Sequence, residues 1–221
     1  MKTEKSKINY LGILELFCDR KELRDYLKQP FVQNGSYCST DAHSCITIPI
    51  EVGVLDLKPK EKPNIQNVTP KEFHEPIEID VTDFESKLLK NAILTDEFFD
   101  VIKECNNCDG EGELECDLGH THDCPNCDGK GKIGGKKPTG KQIPDEYTIF
   151  KINDSGIMLL QLNRLIKAAK MLGENKIYLI SSGERKPFYF KVGDAKVLIM
   201  NCMLNNTEME VDFPIESIFQ K

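Results

Sequence analysis

Nine cysteines occur in this chain of 221 residues, and four of them form two Cys-x-x-Cys pairs. The first pair is Cys105 and Cys108; the second, Cys124 and Cys127, follows after 15 intervening residues. Zinc prefers four soft ligands at tetrahedral corners, and two residues between cysteines let one tight turn direct both sulfurs at one ion. The spacing therefore predicts a structural site for one Zn²⁺ per chain, with all four cysteines as ligands.

Other interpretations of the two pairs are weaker. Disulfides need an oxidising compartment, and the polar residues 1–7 are not followed by the apolar core of a signal peptide. A thioredoxin-like redox site needs one pair at a strand-to-helix junction, whereas both pairs here precede helix-breaking glycines. A catalytic zinc keeps an open position near a general base, and the sequence offers no such base. Coincidence could explain one Cys-x-x-Cys pair, but it is a poor explanation for two.

Each pair continues into the pattern Cys-x-x-Cys-x-Gly-x-Gly, over residues 105–112 and 124–131. This repeat closely resembles the cysteine-rich zinc finger of DnaJ-type co-chaperones. That family carries four repeats and two zinc ions, so two repeats imply one zinc ion here. The resemblance covers about a tenth of the chain, and the His-Pro-Asp signature of a J-domain is absent from the sequence.

Three further side chains between the repeats are of metal-ligating kinds: Cys116, His120 and His122. They could form part of a second site together with water or Asp123. The simpler interpretation, which we prefer, is that they are polar residues at the tip of the module and add little to the four-cysteine site.

The composition describes a globular protein, with 39% hydrophobic and 29% charged residues. No apolar run approaches the length of a membrane span, so we expect no membrane association and a cytoplasmic location. The net charge of −7 disfavours non-specific nucleic-acid binding by the average surface, although it says nothing about a local basic face.

The first part of the chain predicts a strand, a helix and two further strands. Residues 8–17 are rich in strand formers, and Asp19 with Glu22 forms a capping box for a helix that ends before Pro30. Short strands follow at 37–39 and 44–50, around a turn at Asp41 and Ala42.

The middle of the chain predicts a less regular segment. Four prolines between 58 and 76 indicate an exposed connector. A short strand at 77–81, a helix capped by Thr82 and Glu85, and a second short helix at 95–104 then lead to the cysteines. After the cysteines, residues 130–141 hold five lysines and no acids, which indicates a flexible, solvated exit, with a phosphate-contacting arm as the alternative.

The last part repeats the order of the first. A strand at 147–152 precedes a helix at 157–172, and Gly173 is a stop signal for that helix. Strands follow at 176–181, 187–192 and 196–204, with Gly193 and Asp194 as the turn between the last two.

Both predicted helices carry cations at helical spacing. The two stripes are Lys21, Arg24 and Lys28 on the first helix, and Arg164, Lys167 and Lys170 on the second. If both helices lay on one face, six cations could meet the phosphates of duplex DNA without reading its bases. The alternative is that an ordinary solvated helix face carries these charges.

A second resemblance accompanies this duplicated order. The stretch Tyr-Cys-Ser-Thr-Asp-Ala-His-Ser-Cys-Ile at 37–46 is similar to the Ala-Thr-Asp-Gly-His-Arg-Leu strand pair of bacterial DNA polymerase sliding clamps. Residues 158–204 are similar to the last helix and strands of that family. Ala42 stands where glycine is usual, Ser44 replaces an arginine, and Asn201 replaces a proline.

The clamp resemblance implies an α+β fold. Two βα-β-β-β units would share one core, interrupted by an inserted zinc-binding hairpin module. The corresponding domains are 1–57 with 146–221 for the clamp-like domain, 58–104 for a connector and helical insertion, and 105–145 for the zinc finger with its basic exit. We expect the clamp-like domain to fold without 58–145. Clamp rings contain six such domains, so this chain would need further copies or partners.

Three functions remain open on the sequence. The first is a non-enzymatic, DNA-associated or scaffolding clamp relative that binds duplex phosphates, docks protein partners through the zinc module and forms a homo-oligomer. The second is a protein-binding or co-chaperone-like zinc module without DNA contact. The third, an enzyme using Cys38 and His43 beside Asp41, is the weakest, because two residues on alternating strand positions more often serve a turn.

Overall fold

The computed structural model describes residues 8–52, 55–61, 63–70, 73, 75–152, 155–183, 186–204 and 210–212. The chain divides into two compact units. The sheet unit comprises Met1–Ile93 and Asp145–Lys221, and the ribbon unit comprises Leu94–Pro144. Strands greatly outnumber helices among the described residues, so the chain is a mixed α/β protein built mostly from sheet.

The sheet unit contains three α-helices and ten strands among its described residues. The helices are α1 (Tyr10–Glu15), α2 (Val81–Asn91) and α3 (Leu159–Leu172). The strands before the ribbon are β1 (Phe31–Gln33), β2 (Ser36–Thr40), β3 (Ser44–Pro49) and β4 (Ile77–Asp80). The strands after it are β9 (Ile149–Ile152), β10 (Ser155–Met158), β11 (Lys176–Gly183), β12 (Lys186–Val192), β13 (Ala195–Ile199) and β14 (Glu210–Asp212).

Seven of these strands form one antiparallel sheet in the order β1-β2-β3-β13-β12-β11-β4. The order is symmetric about the central pair of β3 and β13, with β4 added at one edge. In both halves a helix precedes a three-strand meander, α1 before β1-β2-β3 and α3 before β11-β12-β13. Each half therefore contains a helix followed by three strands, although the sequence analysis expects the first helix at 19–29 and only two strands after it. A smaller sheet has the order β10-β9-β14.

One hydrophobic cluster joins both halves. It contains Ile13 and Leu14 of α1, Leu162 and Ile166 of α3, and alternate residues of the central strands such as Ile46. Because side chains alternate along a strand, the strand residues of this cluster lie on one face of the sheet. The helices cover that face. The two halves therefore share one core, as the clamp resemblance implies.

The second face of the sheet is covered by the proline-rich segment, which the sequence analysis expects to be an exposed connector. Ile65 packs there with Phe31 and Tyr189, and it is 8% exposed. The side chain of Gln33 holds the segment in place, because its amide donates to the carbonyls of Lys60, Glu61 and Pro63 and accepts from the Ile65 N–H. These four hydrogen bonds have no signature in the local sequence.

The predictions for residues 8–29 are wrong in both elements. Residues 10–15 form the helix α1, capped by the Asn9 side chain, because Ile13, Leu14 and Phe17 reach the core at helical spacing. The helix expected from Asp19 to Gln29 is absent. Asp19 instead accepts a hydrogen bond from the Lys21 N–H, and Glu22 accepts one from the Leu23 N–H, which stabilises turns. Among the described residues of this segment, only a short 3-10 helix forms, at Asp25–Leu27.

The sheet unit also includes residues that the sequence analysis assigns to the 58–104 insertion. Strand β4 pairs with β11, and α2 buries Phe84 and Leu88 in the common core. The N-terminal cap of α2 is Asp80, two residues before the predicted Thr82. A clamp-like domain without 58–145 would therefore lose part of its core, contrary to the expectation.

The end of α3 and the strands after it form where the sequence predicts them. Gly173 adopts a left-handed conformation with φ of 76° and caps the helix as its stop signal. Val192 and Ala195 are paired across the turn at Gly193 and Asp194. Ala42 has φ of 75°, a left-handed conformation that glycine adopts without steric cost.

The ribbon unit consists of two antiparallel strand pairs. A long pair joins β5 (Leu94–Glu104) to β8 (Lys132–Pro144), and a short pair joins β6 (Glu113–Glu115) to β7 (Thr121–Asp123). The helix predicted at 95–104 is wrong. Residues 132–141, predicted as part of a flexible, solvated exit, are exposed as expected but belong to a strand. Each segment is a strand because the other supplies the hydrogen-bonding partner, with ten residue pairs in register.

Candidate metal centre

The two Cys-x-x-Cys turns bring their four sulfurs together in the ribbon unit. Cys105, Cys108, Cys124 and Cys127 are buried, and their sulfur atoms all lie within 4.8 Å of one another. The Cys105 and Cys124 sulfurs are 3.8 Å apart, and those of Cys108 and Cys127 are 3.7 Å apart. A tetrahedral ion with Zn–S bonds of about 2.3 Å requires sulfur edges of about 3.8 Å. The cluster can hold a metal ion, and its dimensions fit zinc.

Backbone groups of the two repeats hold each other in place. The Cys105 N–H donates to the Gly131 carbonyl at 2.9 Å, and the Cys124 N–H donates to the Gly112 carbonyl at 2.7 Å. Each final glycine also donates its own N–H to a sulfur, Gly112 to Cys108 and Gly131 to Cys127, both at 3.2 Å. The last glycine of each repeat therefore links the two repeats and stabilises a thiolate.

Glycine is required at these two positions for a second reason. A Cβ atom on Gly112 would lie 2.4 Å from the Gly129 carbonyl oxygen, and one on Gly131 would lie 2.1 Å from the Gly110 carbonyl oxygen. Both residues also have positive φ, 85° and 68°. The Gly-x-Gly part of each repeat thus allows the two backbones to contact directly, since no side chain could fit between them.

An asparagine in each turn reaches across to the other turn. The Asn107 side-chain amide donates to the Cys124 sulfur at 3.5 Å, and the Asn126 amide is 3.9 Å from the Cys105 sulfur. The hydrogen bond from Asn107 is the main cause that lowers the pKa of Cys124 to about 6. Sequence reasoning missed this role, although the shared asparagine in Cys-Asn-Asn-Cys and Cys-Pro-Asn-Cys was a visible signal.

The short β6–β7 hairpin covers the cluster with one side chain. Leu114 packs against the four cysteines. The predicted second-site residues lie in or beside this hairpin, where Cys116 and His120 close its turn through a backbone hydrogen bond of 2.9 Å. His120 and His122 are exposed. In the described ranges of the chain, the four cysteines are the only group of His, Cys, Asp or Glu side chains close enough together to hold a metal ion. Cys116, His120 and His122 are therefore not close enough together to form a second metal site.

The residues considered for an enzyme serve the turn between β2 and β3. One carboxylate oxygen of Asp41 accepts from the backbone N–H groups of His43 and Ser44, at 2.9 and 2.6 Å. The other oxygen binds the Arg164 guanidinium of α3. Burial raises the pKa of Cys38 to about 11, which disfavours the thiolate that a nucleophile requires. This arrangement stabilises the junction of the two halves and assembles no Cys-His pair.

The six predicted cations do not form two helical stripes. Lys21, Arg24 and Lys28 lie in the turns after α1, and Arg24 and Lys28 pair with Glu22 and Asp25. On α3, Arg164 pairs with Asp41, and Lys170 pairs with Glu85 of α2 at 2.6 Å. Lys21 and Lys167 are exposed, and in the part of the chain described here neither takes part in an ion pair.

Among the described residues, no helix combines the length and apolar character needed to cross a membrane. No protein-family model matches the chain. No curated protein sequence matches it either.

Comparison with solved structures returns DNA polymerase sliding clamps. The clamp of Pseudomonas aeruginosa matches 88% of this chain at 12% identity with a TM-score of 0.48. The clamp of Caulobacter crescentus matches 88% at 9% identity with a TM-score of 0.48, and that of Bacillus subtilis matches 88% at 11% identity with a TM-score of 0.47. The chain spans 63%, 62% and 61% of the lengths of these three clamps.

Proposed function

We propose that this chain is a non-enzymatic zinc protein in which Cys105, Cys108, Cys124 and Cys127 hold one structural Zn²⁺. The sulfur–sulfur distances of 3.7 and 3.8 Å carry this proposal, because a tetrahedral zinc site requires edges of that length. All four positions of the tetrahedron are occupied by protein ligands. The ion would therefore cross-link the two repeats and bind no substrate.

Elemental analysis of protein purified without chelators tests the zinc site. One zinc ion per chain is expected, and replacing any of the four cysteines by serine should release it. The Cys116→Ser variant is the matched control, since its sulfur is outside the cluster, and it should retain the zinc. Protein that contains no metal, or zinc retained by the Cys124→Ser variant, would refute the assignment.

We further propose that the ribbon unit is a DnaJ-type finger with two of that family's four repeats. The support is the role of the glycines, because Gly112 and Gly131 each bind a sulfur, accept from the other repeat and leave no room for a Cβ atom. These roles account for the last glycine of each Cys-x-x-Cys-x-Gly-x-Gly repeat. The unit would then serve protein partners, as the sequence resemblance implies.

For the sheet unit we propose a clamp-like scaffold. The supporting observation is internal to the chain, namely two α-β-β-β halves related about the β3–β13 pair, with a shared core. A groove of about 240 Å³ beside the β2–β3 turn offers a place for a partner. Its walls include Leu27, Ile65 and Leu198, with Arg24 and Thr40 as polar groups. An apolar groove with a few polar groups suits a short peptide segment.

Duplex DNA is the partner that we propose for the cationic side chains of the sheet unit. Lys21 and Lys167 are the exposed members of the predicted set without an ion pair among the described residues, and they would contact phosphates without base specificity. Binding should weaken steeply as salt increases, and it should weaken further in Lys21→Ala/Lys167→Ala. A surface lysine pair on the ribbon, Lys132→Ala/Lys141→Ala, is the control. If the chain shows no salt-sensitive affinity for duplex DNA, the proposal of a DNA partner is wrong, while the scaffold proposal is unaffected.

A further inference from the structure

The ribbon unit exposes several large apolar side chains on its two strand pairs. Such pairs of strands are marginally stable alone in water, and exposed apolar surface of this kind marks contact sites. Apart from the cysteines, Leu114 is the apolar side chain packed against the metal cluster. The exposed fraction is 82% for Leu118, 68% for Ile102, 53% for Phe98 and 42% for Ile133. This unit has surface that a partner could cover.

One face of the long strand pair forms a groove of about 400 Å³, which we call the ribbon groove. Directly opposed residues in an antiparallel pair share a face, and the register pairs Val101 with Gly135 and Lys103 with Ile133. Val101 and Ile133 are the apolar walls, and a Cβ atom added to Gly135 would meet nothing within 4 Å. The groove is therefore open, with apolar walls and a floor that lacks side chains.

The charge of the ribbon groove is mainly positive. Lys103, Lys136 and Lys137 line it, with Glu104 as the one acidic residue. The structure describes the whole ribbon unit, and none of these three lysines forms an ion pair in it. Five lysines and no acids occur from Lys130 to Lys141. An occupant of this groove should therefore combine carboxylates with an apolar side chain.

The β6–β7 hairpin of the same unit has these properties. Glu113 is paired with Asp123, and Glu115 with Thr121, so these residues share the face opposite to Leu114. All of them are exposed. We call Glu113, Glu115 and Asp123 the acidic hairpin face. Leu118 projects from the turn at the end of this hairpin with 82% of its surface exposed.

We propose that the acidic hairpin face of one copy of this chain docks in the ribbon groove of a second copy. Leu118 would fill the space between Val101 and Ile133, while Glu113 and Glu115 would meet the groove lysines. Contacts between two hairpins or between two grooves are disfavoured, because each would bring like charges together. The lysines along β8 also oppose simple edge-to-edge strand pairing, so the contact uses side chains.

Charge distribution favours a second copy over a nucleic acid as the occupant. Between Cys105 and Gly129 the chain carries seven carboxylates and no lysine or arginine. A phosphate backbone entering the groove would lie close to these charges, whereas the hairpin of another copy complements the lysines. The contact does not depend on which metal the cysteines bind. The self-association proposal can therefore fail while the zinc assignment holds, and the zinc assignment can fail while the chain still self-associates.

The test measures the mass of the full metal-loaded chain in solution as a function of concentration and salt. The unaltered chain should self-associate, and its dissociation constant should rise by about tenfold or more between about 50 mM and about 500 mM salt. Two charge-reversal variants should each remain monomeric under conditions where the unaltered chain associates. One is Lys103→Glu/Lys137→Glu, which makes the groove mainly acidic beside the acidic hairpin face. The other is Glu113→Lys/Glu115→Lys, which makes the hairpin face mainly basic beside the basic groove.

Mixing the two charge-reversal variants provides the decisive measurement. The acidic hairpin of one fits the basic groove of the other, and the basic hairpin fits the acidic groove, so the mixture should associate although neither variant does alone. Lys132→Glu/Lys141→Glu, which changes two exposed lysines outside the groove by the same charge, should associate like the unaltered chain. An unaltered chain that stays monomeric at all concentrations, or a mixture that stays monomeric, would overturn the proposal.

Discussion

The sheet unit and the ribbon unit maintain their structures by different physical means. The sheet unit buries large apolar residues from α1, α2, α3 and the central strands in one cluster. The ribbon unit buries four cysteines and packs Leu114 against them, while Phe98 and Ile102 stay exposed. Apolar burial stabilises the first unit, whereas we propose that metal coordination stabilises the second. The comparison teaches that one chain can contain two folding units whose stabilities respond to different changes.

Removing the metal should have the largest effect and should affect only the ribbon unit. Cys124→Ser removes one of four thiolate ligands, and structural zinc sites contribute about 10–16 kcal/mol to the folding of small domains. We expect the variant to lose zinc and the amide protection of residues 94–144 while the sheet unit still unfolds cooperatively. Hydrogen exchange resolved by segment measures both units at once. Loss of protection throughout the sheet unit would show that the two units are not energetically separate.

A single methyl group at the contact between the repeats should have the next largest effect. In Gly112→Ala, the new Cβ atom would overlap the Gly129 carbonyl at 2.4 Å, so the repeats must separate. Zinc affinity should fall by about 100-fold or more, as measured by competition with a chromophoric chelator. The control is Gly134→Ala, where a Cβ atom meets nothing within 4 Å. Equal affinities for the two variants would contradict the backbone contact described here.

The reverse experiment removes apolar packing from the sheet unit. Leu162 of α3 is 1% exposed, so Leu162→Ala should lower the free energy of unfolding of this unit by about 2–5 kcal/mol. Zinc content should not change. Leu23→Ala is the matched control, because Leu23 is 90% exposed and its loss should be nearly neutral in urea denaturation. A comparable loss of stability in the Leu23 variant would mean that this leucine is covered in solution.

The smallest expected effect concerns the asparagine that reaches across the metal cluster. The Asn107 amide donates to the Cys124 sulfur at 3.5 Å and lowers the pKa of Cys124, which favours the thiolate that binds metal. Asn107→Ala should raise this pKa, and acidification should then release zinc at a higher pH, with affinity at neutral pH lower by about 10-fold to 100-fold.

Asn106→Ala is the control for this prediction, because Asn106 lies beside Asn107 in the same turn and makes no hydrogen bond to a sulfur among the described contacts. Zinc release followed against pH should shift for the Asn107 variant alone. Identical release profiles for the two variants would show that the amide does not influence the site.

Local chemistry determined a large part of this protein. The ligand spacing around Cys105 and Cys124, the stop at Gly173 and the turn at Gly193 all depend on neighbouring residues in the chain, so the sequence predicts them. Periodicity likewise predicted the helix and three strands of the second half, because strands and helices with one buried face repeat their apolar residues at fixed intervals.

Where local signals were ambiguous or misleading, only the tertiary structure determined which element forms. Residues 10–15 could form a strand or a helix, and burial of Ile13, Leu14 and Phe17 against the sheet selected the helix. Residues 94–104 became a strand because β8 supplied its hydrogen-bonding partner from about 40 residues away. The pairing of Arg164 with Asp41 likewise joins residues distant in sequence. Interactions between distant residues leave no local pattern, because they exist only after the chain has brought both partners together.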